Sequence, residues 1–311
     1  MKLAFVYAGQ GSQKVGMGRD FYDQYPEFQQ VLDNAAAPFD VKEVCFQGPA
    51  EQLNQTRYTQ PCMVAFAVGV TDLLKKEGIR PQAAAGLSLG EYSALYAAGV
   101  WDRDTAIATV ALRGQAMEQV AAGLACGMTA VLGLDRETLQ QACDQAAELG
   151  VVQICNYNCP GQLVIGGEEA AVARAGALAK ELGAKRCMPL KVSGPFHTAL
   201  MGPAGDALAK HFQTISFGEM ECPVYFNCKG DVLGEGDTIP QLLEKQVQSS
   251  VYWEDTIRKM ETDGIDTVVE IGPGKTLSGF FKKTAPSIKL YNIDTAEDFR
   301  AVVAALKGEA Q

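Results

Sequence analysis

Short apolar runs, each stopped by glycine or proline, alternate along this chain with stretches whose apolar residues recur every three or four positions. That alternation predicts strands and helices in turn. The first run, residues 2–7, has no polar interruption after Lys2, suits a strand buried on both faces, and breaks into Ala8-Gly9-Gln10-Gly11-Ser12-Gln13. Residues 61–76 read as a helix apolar on nearly every turn, opened by Pro61 and ended at Gly78. The alanines at 83–85 supply a short strand that breaks into Gly86-Leu87-Ser88-Leu89-Gly90, and a helix follows over 89–98 with Gly99 at its end. In a helix predicted over 105–122, Ala106, Val110, Arg113, Met117 and Val120 recur at intervals of four and three, which sets Arg113 in an apolar stripe.

Past Gly123 the pattern changes. A strand at 128–134, a helix at 137–148, strands at 151–156 and 162–165 joined by Asn158-Cys159-Pro160-Gly161, a helix at 168–182 and a strand at 184–192 follow one another. This is the β-α-β-β-α-β order of a ferredoxin-like unit. With Gly123 and Ser193-Gly194-Pro195 as hinges, residues 123–193 are expected to form an inserted subdomain, and residues 1–122 and 194–311 the main domain, with a cleft between the two. The α/β pattern then resumes: a helix at 198–212, a strand at 224–227, helices at 239–248 and 251–263, and a strand at 267–271 that ends in Gly272-Pro273-Gly274-Lys275. A helix to 283, a strand at 288–293 and a last helix complete the chain.

The chemistry suggested by these junctions centres on Ser88. Glycines two residues to either side suit a sharp strand-to-helix turn that lifts a hydroxyl above the sheet and sets it at a helix N-terminus, where a developing oxyanion is favoured. A plain tight turn fits the five residues equally well. Gln10, in a glycine-rich loop at a strand's C-terminal end, is a second oxyanion-hole candidate; the glycine spacing there matches neither a P-loop nor a dinucleotide fingerprint. Arg113 cannot shed its charge, so it must meet a carboxylate from a ligand or from the protein, or snorkel from the stripe's edge. Of the two histidines, His197 lies in a Gly-Pro loop where an imidazole can reach a reacting group, whereas His211 sits near a helix C-terminus as a surface dipole partner. Gly272-Pro273-Gly274 reads as a structural turn.

Composition narrows the function. With 311 residues, 47% hydrophobic and 21% charged, the chain can bury one large core or a core plus a satellite. A net charge of -10 argues against nucleic acid, and no apolar run approaches the roughly 18 residues of a membrane span. No signal peptide is recognisable, so a cytoplasmic protein is expected. The nine cysteines lack a Cys-x-x-Cys pair and read as reduced thiols, with no metal site and no cofactor expected.

Taken in order, Gly9-Gln10-Gly11-Ser12-Gln13, Gly86-x-Ser88-x-Gly90-Glu91, Arg113-Gly114-x-x-Met117, Gly194-Pro195-Phe196-His197-Thr198 and Glu270-Ile271-Gly272-Pro273-Gly274 resemble the malonyl-CoA:acyl-carrier-protein transacylase family over the whole chain. The resemblance implies an α/β fold, with an α/β-hydrolase-like large domain built on a parallel sheet and an inserted ferredoxin-like small domain. It implies transfer of malonyl from malonyl-CoA to acyl carrier protein in fatty acid synthesis, by a monomer. It makes Ser88 the acylated nucleophile, His197 its base, and the backbone N–H groups of Gln10 and Leu89 the oxyanion hole. Arg113 falls on the arginine that holds the malonyl carboxylate, and Gln246 on a glutamine whose backbone carbonyl orients the histidine, giving a dyad. Asn158 and Asn227, with Phe196 beside the histidine, match positions lining the site, and Lys185 and Arg186 match basic residues that meet coenzyme A or carrier protein. Leu87 departs from the pattern, since many members have histidine there; it borders the acyl pocket, so acyl selectivity is less fixed than reaction type.

Three other readings stay open. A thioesterase or other serine hydrolase could use the same elbow, but standard α/β-hydrolases run Ser, Asp, then a late histidine, and His197 is followed by more than a third of the chain. A discrete acyltransferase of a polyketide synthase would do the same chemistry on another carrier. A non-catalytic binding protein would not need both Ser88 and His197.

Overall fold

The computed structural model describes residues 1–191 and 194–309. The expected hinge residue Ser193, and the last residue of the strand predicted to end at 192, lie outside the described residues. In chain order the strands are β1 (Leu3–Tyr7), β2 (Ala83–Gly86), β3 (Cys126–Leu132), β4 (Val152–Cys159), β5 (Gln162–Glu168), β6 (Arg186–Pro189), β7 (Val224–Phe226), β8 (Asp231–Val232), β9 (Thr267–Ile271) and β10 (Lys289–Ile293). The fold is mixed α/β with a parallel-sheet core.

Packing divides the chain into two units. The first comprises Met1–Gly114, Ile215–Tyr225 and Lys259–Gln311. Its strands run parallel in the order β10-β9-β1-β2-β7. Every residue of β1 and β9 is buried, as a sheet with helices on both faces requires. β2 reads Ala-Ala-Ala-Gly because the helix Gly90–Ala97, itself buried at every residue, lies close on it. Gly99, at φ 81°, turns the chain just beyond that helix, as the sequence predicts.

The helix before β2 starts earlier than its proline suggests. It spans Thr56–Lys76, with Pro61 inside it. An interior proline removes one backbone hydrogen bond and costs about 3 kcal/mol, but sixteen of the helix's residues are buried, so tertiary burial outweighs the local preference. The early start brings Thr56 to the Gln10 loop, where its Oγ1 accepts from Gln10 Nε2 at 3.1 Å.

The second unit comprises Gln115–Thr214 and Phe226–Arg258. Its antiparallel sheet has the order β4-β5-β3-β6. Leu139, Cys143 and Ala146 of the helix Arg136–Ala146 and Ala175, Leu178 and Ala179 of the helix Glu169–Glu181 pack with Val131, Ile154 and Ile165 into one core. Asn158 and Cys159, expected in the β4–β5 turn, belong to β4; register shifts before Asn156 and before Cys159 let the strand run on, leaving Pro160-Gly161 as the turn. The unit reaches beyond 123–193 because the segment around Val251 bonds to β4: Val251 N donates to the Cys155 carbonyl at 2.7 Å and Tyr157 N to the Val251 carbonyl at 2.9 Å.

Candidate active site

Ser88 sits at φ 52°, one of two non-glycine residues with positive φ among those described; the other is His197, at φ 61°. Such a backbone costs an ordinary residue of order 1–3 kcal/mol and survives only where its surroundings over-determine it. At Ser88 the surroundings are glycines. A Cβ on Gly86 would lie 1.9 Å from the Gly90 carbonyl carbon, and one on Gly90 would lie 2.2 Å from the Tyr7 carbonyl oxygen. The strand and helix therefore approach as closely as bare backbone allows. Gly9 completes the fit, since a Cβ there would be 2.6 Å from the Leu87 carbonyl oxygen, and this lays the Gln10 loop against the turn. Leu89, the residue before the helix Gly90–Ala97, presents an N–H that no intrahelical carbonyl can reach.

Arg113 comes from the helix Arg103–Ala121; of the predicted stripe, Ala106, Val110, Arg113 and Met117 are buried and Val120 is half-buried. The arginine is 1% exposed, and its Nη2 donates to Ser88 Oγ at 3.2 Å. The guanidinium lies 5.2 Å from the centre of the Tyr92 ring. Burial lowers its pKa from the ordinary value, while the Tyr92 hydroxyl and the Glu91 carboxylate pull it back up. A cation beside a hydroxyl oxygen stabilises negative charge that develops there.

In the second unit His197 is 4% exposed. Its Nδ1 lies 2.9 Å from the Gln246 carbonyl oxygen, and its backbone N–H donates to the Val247 carbonyl at 3.2 Å. A carbonyl can only accept, so Nδ1 carries a proton, and in the neutral ring Nε2 is then the nitrogen with the lone pair, the tautomer a general base needs. Gln246 is fully buried near the end of the helix Ile239–Val247. Phe196 is buried beside the histidine. Asn158 is 7% exposed and its Oδ1 has no hydrogen-bond partner among the described residues, a costly state that a bound polar group would relieve. Asn227 is fully buried, and its carbonyl accepts from Tyr252 N at 2.8 Å. Lys185 and Arg186, at the start of β6, are exposed.

His211 is half-buried in the last turn of the helix Gly202–Phe212, and that burial lowers its pKa. At Gly272-Pro273-Gly274 the N-terminus of the next helix is already taken: the Glu270 carboxylate accepts from Leu277 N at 2.9 Å and from Ser278 N at 2.8 Å. A side chain of this chain thus fills the place an anion would occupy.

A family model described as acyl transferase domain matches residues 4–306. The malonyl CoA-acyl carrier protein transacylase of Bacillus subtilis (strain 168) is 40% identical over 311 residues, covering 99% of this chain and 98% of its own. The crystal structure of MCAT from Streptococcus pneumoniae superposes with a TM-score of 0.93 at 45% identity, covering 98% of this chain and 100% of that one. The chain belongs to the malonyl-CoA:acyl-carrier-protein transacylase family. A malonyl-transacylase solved in complex with a type II PKS acyl-carrier protein is similar as well, with a TM-score of 0.94 at 36% identity over 98% of this chain and 100% of that one.

For a chain of the malonyl transacylase family, three roles escaped the sequence: that of Glu91, read only as part of a motif, and those of Tyr92 and Gln153. Glu91 and Tyr92 are both fully buried and act on Arg113; the signal was a charged residue on a helix apolar all round. Gln153 holds the histidine loop, and nothing in its position on an exposed-looking strand start marks it. Leu87 is half-buried, with its N–H donating to the Tyr7 carbonyl at 3.1 Å.

Proposed function

We propose that this chain transfers a malonyl group from malonyl-CoA to the phosphopantetheine thiol of acyl carrier protein, by a ping-pong route through Ser88. Ser88 Oγ attacks the thioester carbonyl and His197 Nε2 takes its proton. The N–H groups of Gln10 and Leu89 hold the oxyanion. The carbon–sulfur bond then breaks, and the leaving thiolate of coenzyme A takes the proton back from the imidazolium. The carrier thiol repeats the sequence in reverse order. A thiol has a pKa near about 8.5, so it leaves without strong protonation, and a dyad oriented by a neutral carbonyl suffices where an amine leaving group would gain more from a buried carboxylate.

The observation that carries this reading is the 3.2 Å hydrogen bond from Arg113 to Ser88. It sets a planar guanidinium, suited to the two oxygens of a carboxylate, beside the oxygen that would carry the acyl group. Asn158, Asn227, Phe196 and Leu87 line the acyl pocket in this reading, and Lys185 with Arg186 meets coenzyme A or the carrier. The same proposal covers the α/β-hydrolase-like and ferredoxin-like descriptions of residues 1–122 with 194–311 and of 123–193, a monomeric state and a cytoplasmic location. Incubation with malonyl-CoA followed by intact-mass measurement tests it: one malonyl group should appear on Ser88, and none should form a stable adduct if the chain only binds the thioester.

A second reading keeps the chemistry and changes the carrier. The similar transacylase bound to a type II PKS acyl-carrier protein favours it. Competition between carriers of fatty acid and polyketide synthesis for the malonylated enzyme separates the two.

A further inference from the structure

His197 holds a backbone conformation that costs free energy, and the hydrogen bonds at Gln246 and Val247 secure only its ring and its N–H. The peptide that follows is held from β4. Gln153 Nε2 donates to the His197 carbonyl at 3.3 Å, and Gln153 Oε1 accepts from Ala199 N at 3.0 Å. Along β4 the side chains alternate faces, with Val152 and Ile154 in the core of the second unit and Gln153 on the opposite face. One amide therefore spans the acceptor and the donor that flank Thr198, as a sheet ladder would, while Thr198 Oγ1 closes the turn on the Pro195 carbonyl at 2.6 Å.

We infer that Gln153 is a positioning residue for His197: its side-chain amide fixes the left-handed backbone that aims the imidazole. This rests on the reading of His197 as the general base. Only a side chain of glutamine's length with a donor and an acceptor on one terminal group can make both bonds. A glutamate accepts only while ionised, and regains a donor when protonated. That difference supplies a test that ordinary destabilisation cannot mimic.

The rate of Ser88 malonylation is measured in single turnover for the wild type, Gln153→Met and Gln153→Glu, across pH. Gln153→Met, which loses both bonds, is expected to slow acylation roughly 10–100-fold at every pH, one to two hydrogen bonds' worth. Gln153→Glu is expected to be slow at neutral pH and to approach the wild-type rate as pH falls toward about 4.3, the direction opposite to the loss any histidine base suffers on protonation. The second readout is the Nδ1–H proton resonance of His197, observed in a His211→Ala background that leaves one imidazole. It should be sharp in the parent, lost in Gln153→Met and restored at low pH in Gln153→Glu. If Gln153→Met keeps both the resonance and the rate, or Gln153→Glu matches it at all pH, the inference is overturned. If the resonance is lost while acylation is unchanged, Gln153 positions the imidazole and it is the general-base role of His197 that fails.

Discussion

The Arg113 guanidinium donates to the Ser88 hydroxyl oxygen at 3.2 Å, from a side chain only 1% exposed. A nucleophile held by a buried cation is stabilised as it acquires negative charge, and its proton must go elsewhere. Ser88→Ala is therefore expected to abolish acyl-enzyme formation from malonyl-CoA. His197→Ala should slow it roughly 10²–10⁴-fold, the usual contribution of general base catalysis. Mass-resolved labelling at early times checks both, and a malonyl adduct forming at full rate in Ser88→Ala would move the nucleophile to another residue.

The turn beneath Ser88 makes a stability prediction with an internal control. Gly86→Ala puts a methyl group 1.9 Å from backbone that cannot step aside, so unfolding free energy should fall by about 3 kcal/mol or more and activity with it. Gly279, in the helix Thr276–Thr284, has nothing within 4 Å of its notional Cβ. Gly279→Ala should stabilise by about 0.5–1 kcal/mol, since alanine is the better helix former. Urea denaturation of the two variants decides whether the elbow depends on bare backbone.

What was legible in the sequence was legible through period and punctuation. The run at 83–90 announced a strand, a turn and a helix, and the stripe through Arg113 foretold its burial, because both are local patterns that tertiary packing reinforces. Pro61 misled because a helix start is a weak local preference and sixteen buried residues outweigh it. Asn158 was expected in a turn because Asn, Pro and Gly cluster there, yet register shifts carried β4 through it. Gln153 left no local trace at all: its two bonds reach 44 and 46 residues along the chain, to positions that only the fold brings together.

Glu270 gives a pH dependence with a definite sign. Burial raises its carboxyl above the ordinary value, against hydrogen bonds from Ser278 and Leu277 that pull it down. The folded state therefore takes up this proton more readily than the unfolded one. The stability Glu270 contributes through this proton is full below the unfolded value of about 4.3 and is lost as pH rises through the folded value. Gln at this position cannot titrate. The difference in unfolding free energy between wild type and Glu270→Gln should shrink with rising pH in that window and then level off. A difference that widens with pH would show that the hydrogen bonds, not burial, set the carboxyl.

On the second unit, exposed Lys185 and Arg186 give a predominantly acidic protein a local positive surface. If an acidic carrier docks there, the double variant Lys185→Glu, Arg186→Glu should raise KM for the carrier and flatten its salt dependence while leaving acylation by malonyl-CoA largely intact. Steady-state kinetics at two ionic strengths checks this. An unchanged KM at both would place the carrier elsewhere.

In the proposed reaction Arg113 also selects the acyl group. Its planar fork can take both oxygens of a malonyl carboxylate, and in a site shielded from water such a pair is strong and directional. An acetyl group offers it nothing. The penalty for leaving it without a carboxylate is moderated by Glu91 and Tyr92, which support its charge before any substrate arrives. Discrimination between the two thioesters of roughly 10²–10³ is expected, below the upper range for stranding a wholly uncompensated buried charge. Arg113→Ala removes the attraction and the penalty together, so malonyl transfer should fall steeply while acetyl transfer holds or rises, with Ser88 still carrying the acyl group. The quantity to measure is the ratio of kcat/KM for malonyl-CoA and acetyl-CoA in wild type and variant. Were both to fall by the same factor, the arginine would act on Ser88 alone, through the hydrogen bond at 3.2 Å, and the substrate carboxylate would have to be bound by other residues.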